Sequence, residues 1–278
     1  MGNRIKLIMS DLDGTFLGDG HKPTEENLKA FQRAYDAGIK IVPVTARFLK
    51  LAEPVLKDIP MADYVVCCNG AALYDIGTKE CLFRDAIDRE TVLRILDYLD
   101  TLPCVQYAAI NGTNYVDGPS FKKYYHTMEV PYLYKRENDP SVMLTIRDKV
   151  MEEGAGVEII YVLFPDDETK AEADEVIKGF GDLCTLGAFP AEMEISAGTA
   201  NKENITLRMK DILGVDPSEI MAFGDGDNDS GMIKAAGIGI AVENAMEKTK
   251  AAADYITLKN TESGVAYMVN KYLDGELE

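Results

Sequence analysis

Histidine is nearly absent from this 278-residue chain: the two present, His21 and His126, lie far apart with no motif around either. A histidine triad or a histidine-rich metal site therefore has no residues to build it. Cysteine is limited to Cys67, Cys68, Cys81, Cys104 and Cys184, an odd number. No Cys-x-x-Cys or mixed Cys/His spacing occurs, which excludes the common zinc ligand sets; the five read as buried free thiols in a reducing compartment. No run of about 18 apolar residues is present, so no membrane span is expected. Arg4 leads straight into an apolar run with no sign of a secretory leader, so a cytoplasmic location is expected. Basic residues are outnumbered, 29 Lys and Arg against 47 Asp and Glu, for a net charge of -18. So acidic a chain lacks the clustered cations that nucleic acid or an anionic membrane surface requires. A small phosphorylated partner is not excluded, because a divalent cation and one or two local Lys or Arg residues can outweigh the global charge at a single site.

What the chain has is apolar substance. At 46% hydrophobic it can build one large domain or two moderate ones with a substantial core. Residues 5–9 read as a strand. Thr24 reads as the N-cap of a helix carrying Leu28, Phe31 and Tyr35, ended by Gly38. Residues 39–44 are the next strand, 48–57 a short helix and 64–68 a third strand. Continuous apolar strands between amphipathic helices indicate a parallel sheet covered on both faces. The pattern then changes. Residues 72–83 suggest a hairpin, Val92, Ile95, Leu96 and Leu99 a helix, and residues 106–116 a second hairpin whose Asn111-Gly112 suits a tight turn. A strand at 157–164, a helix at 168–180 and a strand at 183–186 complete an α+β module. The parallel pattern resumes with a helix at 204–213, strands at 220–223 and 238–242, and a closing helix face of Val265, Met268, Val269 and Tyr272. The expected fold is α/β, a doubly wound, Rossmann-like parallel-sheet core formed by 1–84 and 189–278, with an inserted α+β cap at 85–188.

Four clusters with chemical capacity sit at strand ends or helix starts. They are Asp11-Leu12-Asp13-Gly14-Thr15, Thr45-Ala46-Arg47, Lys202, and Gly224 to Asp229. A buried strand that ends in two carboxylates one residue apart needs a metal, a partner or a reaction to offset their desolvation. In a doubly wound fold the carboxyl ends of the strands form one edge, where such residues meet. Each cluster alone has a plainer reading. Asp-x-Asp is often a solvated turn, a strand-end Thr often a helix N-cap, and a single Lys usually surface. Asp225–Asp229 resembles the start of a calcium loop, but Ala236 stands where the twelfth-position Glu would be. Together, in order, they match phosphoryl chemistry. A carboxylate attacks phosphorus, a neighbour supplies and removes a proton, hard oxygens hold Mg²⁺, and a hydroxyl, a backbone N–H and an ammonium hold the phosphoryl oxygens.

On these residues the chain resembles the haloacid dehalogenase superfamily of phosphotransferases along essentially its whole length. Asp11 to Thr15 matches the DxDGT motif, Thr45 the second motif, Lys202 the third and Asp225 to Asp229 the fourth. The long insert, Asn69-Gly70-Ala71 and Glu243-Asn244-Ala245 resemble the Cof-type subfamily, whose α/β cap closes over the site. The resemblance implies Asp11 as nucleophile and Asp13 as acid/base. It implies Asp11, the Asp13 carbonyl and Asp225 as Mg²⁺ ligands, with Asp229 in support. It implies Leu12, Thr45, Ala46, Lys202 and Asn228 around the phosphate, with Arg47 in reach of substrate. Three positions depart from the pattern: Phe16 for Leu, read as packing, Ala46 for Gly, and Glu203 for Gly, which could pair with Lys202. The expected activity is Mg²⁺-dependent hydrolysis of a small phosphorylated metabolite, a sugar phosphate, through an aspartyl phosphate. A hexose-phosphate phosphomutase and a non-catalytic phosphate sensor are the alternatives. In the cap, residues 121–125 (Phe-Lys-Lys-Tyr-Tyr) are a candidate substrate edge or, equally, a basic helix face with core aromatics.

Overall fold

Strand β1, Leu7–Asp11, is buried at all five positions of the computed structural model, which describes residues 5–127, 145–187 and 190–277. It runs into Asp11 itself, so the carboxylate occupies the last strand position. Then come α1 (Glu25–Asp36), β2 (Lys40–Val44), α2 (Leu49–Leu56), β3 (Tyr64–Cys67), β4 (Ala72–Asp75) and β5 (Cys81–Arg84). The middle of the chain forms α3 (Arg89–Leu99), β6 (Val105–Ile110), β7 (Thr113–Val116), α4 (Gly118–Tyr124), α5 (Ile146–Val150), β8 (Val157–Leu163), α6 (Asp167–Ile177), β9 (Leu183–Leu186) and β10 (Glu192–Ala197). It continues with α7 (Lys202–Leu213), β11 (Ile220–Gly224), α8 (Ser230–Ala235), β12 (Ile238–Ala241), α9 (Glu247–Ala252), β13 (Tyr255–Ile256) and α10 (Gly264–Leu273).

The chain divides into two compact units, Met1–Phe83 with Asn201–Glu278, and Arg84–Ala200. The first holds an eight-stranded sheet in the order β13-β12-β11-β1-β2-β3-β4-β5. Pairing is parallel from β13 through β3, and β4 runs antiparallel to β3. The two-residue period of an extended chain sorts its side chains to two faces. Ile8, Met221 and Phe223 pack with Phe31 of α1 and Val265 of α10, while Leu7, Met9, Ile220 and Ala222 pack with Ile205 and Met209 of α7. Each of these side chains larger than alanine contributes roughly 1.5–3 kcal/mol on burial. Because β1 lies between β11 and β2, its carboxyl end is flanked by the carboxyl ends of both neighbours.

The second unit is a five-stranded sheet, β7-β6-β8-β10-β9, antiparallel throughout. Its core joins Val92, Ile95 and Leu99 of α3 to Ile160, Val162, Ala173 and Ile195. The expected boundary at 188/189 differs from this division, which runs to Ala200. The reason is β10, absent from the sequence reading, which pairs with both β8 and β9 and so belongs to this sheet. Its Glu192-Met193-Glu194-Ile195 alternation was the available signal.

In the first unit one buried polar side chain ties three segments together. Asn27, fully buried in α1, donates from Nδ2 to the Phe16 carbonyl at 2.9 Å and accepts the Ala266 N–H at 2.9 Å. Ala266 lies in the first turn of α10, where N–H groups lack partners within the helix. Asn27→Ala leaves both backbone groups buried and unpaired, so it should lower stability by roughly 1–3 kcal/mol. A fall in the urea midpoint checks this; an unchanged midpoint contradicts it.

Candidate active site

The turn after β1 is set by its neighbour across the sheet. Gly14 has φ +86°, and a Cβ there would collide with the Asp225 carboxylate. A glycine is required on both counts. Thr15, fully buried, donates its hydroxyl to Asp225 Oδ1 at 2.7 Å. Asn244 Nδ2 holds the Gly14 carbonyl at 2.8 Å. After β11, Asp229 folds back on its own loop, its Oδ2 accepting the N–H groups of Asp225 and Gly226, both at 2.9 Å. Lys202, the first residue of α7, sends its ammonium to Asp11 Oδ1 at 2.7 Å and Asp229 Oδ1 at 2.6 Å. Lys202 is only 1% exposed. The ammonium hydrogen bonds thus go to Asp11 and Asp229, and Glu203 sits exposed in the first turn of α7, against Gly231.

One ammonium does not balance three carboxylates. Burial pushes the Asp11 pKa well up, and the charges of Asp229 and Asp225 add to this against the opposing pull of Lys202. Asp225 is also raised, first by burial, with Asp229 adding and Thr15 opposing. Burial alone would lower Lys202, but Asp11 and Asp229 outweigh it and raise the ammonium's pKa. Oxygens of Asp11, Asp225 and Asp229 lie within 4.8 Å of one another. Asp11 Oδ2 is buried with no hydrogen-bond partner. A buried orphan oxygen inside an all-oxygen, net-negative cluster fits a hard divalent cation.

Asp13 is in different surroundings. Arg47 grips it with Nε on Oδ2 at 2.8 Å and Nη2 on Oδ1 at 2.6 Å, and His21 Nδ1 lies 3.0 Å from Oδ1. Burial pushes Asp13 up, but Arg47 and then His21 more than offset this, and its pKa falls below the ordinary value. The Arg47 guanidinium expected at the substrate is thus engaged with Asp13. Thr45, 1% exposed, accepts the Arg47 N–H on Oγ1 at 3.1 Å, which leaves its hydroxyl proton to donate elsewhere. Leu12 places its side chain in the core, so only its backbone can face the site. Ala46 is half-buried in the same loop as Thr45. Asn228 is exposed and donates from Nδ2 to Asn69 Oδ1 at 2.9 Å. His21, Thr15, Asn69 and Asn244 were given no role in the sequence reading, and for His21 no local signal exists. Phe16 stacks on Phe31 at 4.3 Å, a packing role. In the other unit, Phe121 is buried and stacks on Tyr125 at 4.8 Å, while Lys122 and Lys123 are exposed.

A family model of haloacid dehalogenase-like hydrolases matches residues 8–269. The chain is 26% identical over 287 residues to the 5-amino-6-(5-phospho-D-ribitylamino)uracil phosphatase YwtE of Bacillus subtilis (strain 168), covering 98% of this chain and 99% of that one. It is 25% identical over 277 residues to the pyridoxal phosphate phosphatase YbhA of Escherichia coli (strain K12), covering 96% and 98%. Among solved structures, BT1666 from Bacteroides thetaiotaomicron, described among phosphatases of the haloalkanoate superfamily, superposes with a TM-score of 0.81 at 26% identity, over 99% of this chain and 96% of that one. Among the described residues no helix is long and apolar enough to cross a membrane. A doubly wound sheet with carboxylates at its strand ends, matched by one family model over nearly its whole length, places this chain among the haloacid dehalogenase-like hydrolases of the phosphatase type.

Proposed function

We propose that the chain is an Mg²⁺-dependent phosphatase acting on a small phosphorylated metabolite, a sugar or sugar-alcohol phosphate, through an aspartyl phosphate on Asp11. The observation that carries this is the buried Asp11 carboxylate, with one oxygen on Lys202 and the other unpartnered. The two relatives named for phospho-D-ribitylaminouracil and pyridoxal phosphate act on small metabolites that carry a phosphate, which supports the substrate class.

Asp11, Asp225 and the Asp13 carbonyl would hold the cation, with Asp229 in support. Bound there, Mg²⁺ would supply positive charge to offset that of the carboxylates and the phosphoryl group. Asp11 attacks phosphorus as the bond to the leaving oxygen breaks, and Asp13 gives that oxygen its proton. Water then attacks the phosphoaspartate, losing a proton to Asp13 and releasing orthophosphate. Lys202 balances charge on Asp11 throughout, and Thr45, Ala46 and Asn228 hold phosphoryl oxygens. Asp13 must bind a proton despite Arg47 and His21. An anionic phosphate monoester beside it raises its proton affinity and offers Arg47 a competing partner. The unit Arg84–Ala200 is proposed to set substrate choice. Phosphate release from a panel of phosphorylated metabolites tests the whole reading; none released by wild type, or full turnover by Asp11→Asn, overturns it.

Two further outcomes follow from the carboxylates. A folded-state pKa above the unfolded value contributes stability below about pH 3.9 that is lost as pH rises through the folded value. In chelator, Asp11→Asn escapes that loss, so its thermal midpoint should exceed wild type by a margin that widens as pH rises above about 4. Saturating Mg²⁺, at about 100 times its Kd, should raise wild-type stability by about 2.7 kcal/mol and the variant far less. Scanning calorimetry reads both, and equal Mg²⁺ responses contradict the ligand assignment. Asp13→Ala should cost alkyl phosphates roughly 10²–10⁴-fold in kcat/KM and an aryl phosphate much less, because a phenolate leaves without protonation. Equal losses on the two substrates reject Asp13 as the acid.

A further inference from the structure

Cys68, Asn69 and Gly70 follow β3 with φ values of +50°, +55° and +109°. Three successive left-handed residues, two of them not glycine, make a conformation that persists only where the surroundings hold it. What holds it is the set of loops described above. The Cys68 N–H donates to the Arg47 carbonyl at 3.0 Å, and the Asn69 N–H to the Thr45 carbonyl at 3.1 Å. A Cβ on Gly70 would collide with the Asn201 carbonyl, so the turn lies directly against the residue before Lys202. Asn69, 4% exposed, receives the Asn228 carboxamide on its side-chain oxygen at 2.9 Å. One three-residue turn therefore touches the loops carrying Thr45, Lys202 and Asn228, which come from three separate stretches of sequence.

We infer that Asn69 is a positioning residue for the phosphoryl group, acting through Asn228, an inference that rests on the phosphatase reading and deepens it. Asn228 is exposed, and an exposed amide samples several rotamers. Asn69 is buried, and the Thr45 carbonyl fixes its backbone. Accepting one Asn228 N–H, it leaves the second N–H of that amide to donate in one direction, as an oxyanion holder requires. The same turn holds the Thr45 carbonyl, so hydroxyl and amide are set in register by one element.

Asn69→Gly removes the amide while tolerating the left-handed φ, and Asn228→Ala removes its partner. Both, and the double variant, are assayed with an aryl phosphate and Mg²⁺, with inorganic phosphate as product inhibitor. Each single variant should raise KM and the phosphate inhibition constant about five- to tenfold, with kcat within about threefold, the size of one hydrogen bond at an exposed site. In the double variant the loss should match that of Asn228→Ala within about twofold, because a residue acting through another adds nothing once that other is gone. Losses that multiply, a fall in kcat alone, or an unchanged phosphate inhibition constant overturn the inference. If Asn69→Gly does not fold, Asn69→Ser is scored by the same criteria. A wild-type chain that hydrolyses no phosphate ester overturns the phosphatase reading itself, whereas an active wild type with multiplying losses overturns only the role of Asn69.

Discussion

A single buried ammonium organises the site. Lys202 lies between Asp11 and Asp229, at 2.7 and 2.6 Å, and both Lys202 and Asp229 are 1% exposed. Removing three such groups from water costs several kcal/mol each, so the hydrogen bonds that recover it at Lys202 and Asp229 must be held, the more so because Asp11 Oδ2 has none. That requirement reaches outward. Asn201 caps α7 through the Asn204 N–H, which fixes where the helix begins and hence where the Lys202 side chain starts. Asp229 is fixed in turn by two backbone N–H groups of its own loop. Gly224 must lack a side chain because a Cβ there would meet Asp229. The cap, the two loop N–H groups and Gly224 together set the ammonium between Asp11 and Asp229.

The sheet makes this arrangement possible with little long-range machinery. β1 has β2 on one side and β11 on the other, all parallel, so Asp11, Thr45 and Asp225 leave the sheet at one edge. Loops at that edge carry few intrinsic constraints, and each is tied to its neighbour instead: Thr15 to Asp225, Asn244 to the Gly14 carbonyl, Asn69 to the Thr45 carbonyl. Rigid strands supply position and cross-loop hydrogen bonds supply orientation, the combination that precise charge placement needs.

Much of this is legible in the sequence because it costs energy to have it otherwise. Carboxylates directly after apolar strands, as at Asp11 and Asp225, stand out since a fold does not bury them idly. The parallel core is legible from apolar runs such as residues 41–44 and 220–223. What was not legible depends on loops folding across one another. His21 meets Asp13 only because the chain returns through bridges from Leu17 to Asp13 and to Pro23. The Arg47–Asp13 fork joins two residues each visible separately, yet no spacing rule pairs them. The left-handed turn at Cys68–Gly70 gives no signal at Cys68, a residue that rarely adopts it. β10 escapes for a different reason: the polar half of its alternation is Glu192 and Glu194, residues depleted in strands.

Asp11 and Asp13 are one residue apart, yet their pKa values are pushed in opposite directions, Asp11 up and Asp13 down. Taken alone, these directions oppose the proposed roles, since a nucleophile needs to be ionised and an acid protonated. The opposition resolves once the reacting groups are counted. A divalent cation among Asp11, Asp225 and Asp229 favours ionised Asp11, and a phosphate dianion beside Asp13 favours its protonated form. Each shift would then be opposed by the species that the proposed role brings to the residue. On this reading the protein gains a form of control from simple electrostatics. The proposed nucleophile and acid would each be moved toward the working protonation state by the partner it acts with.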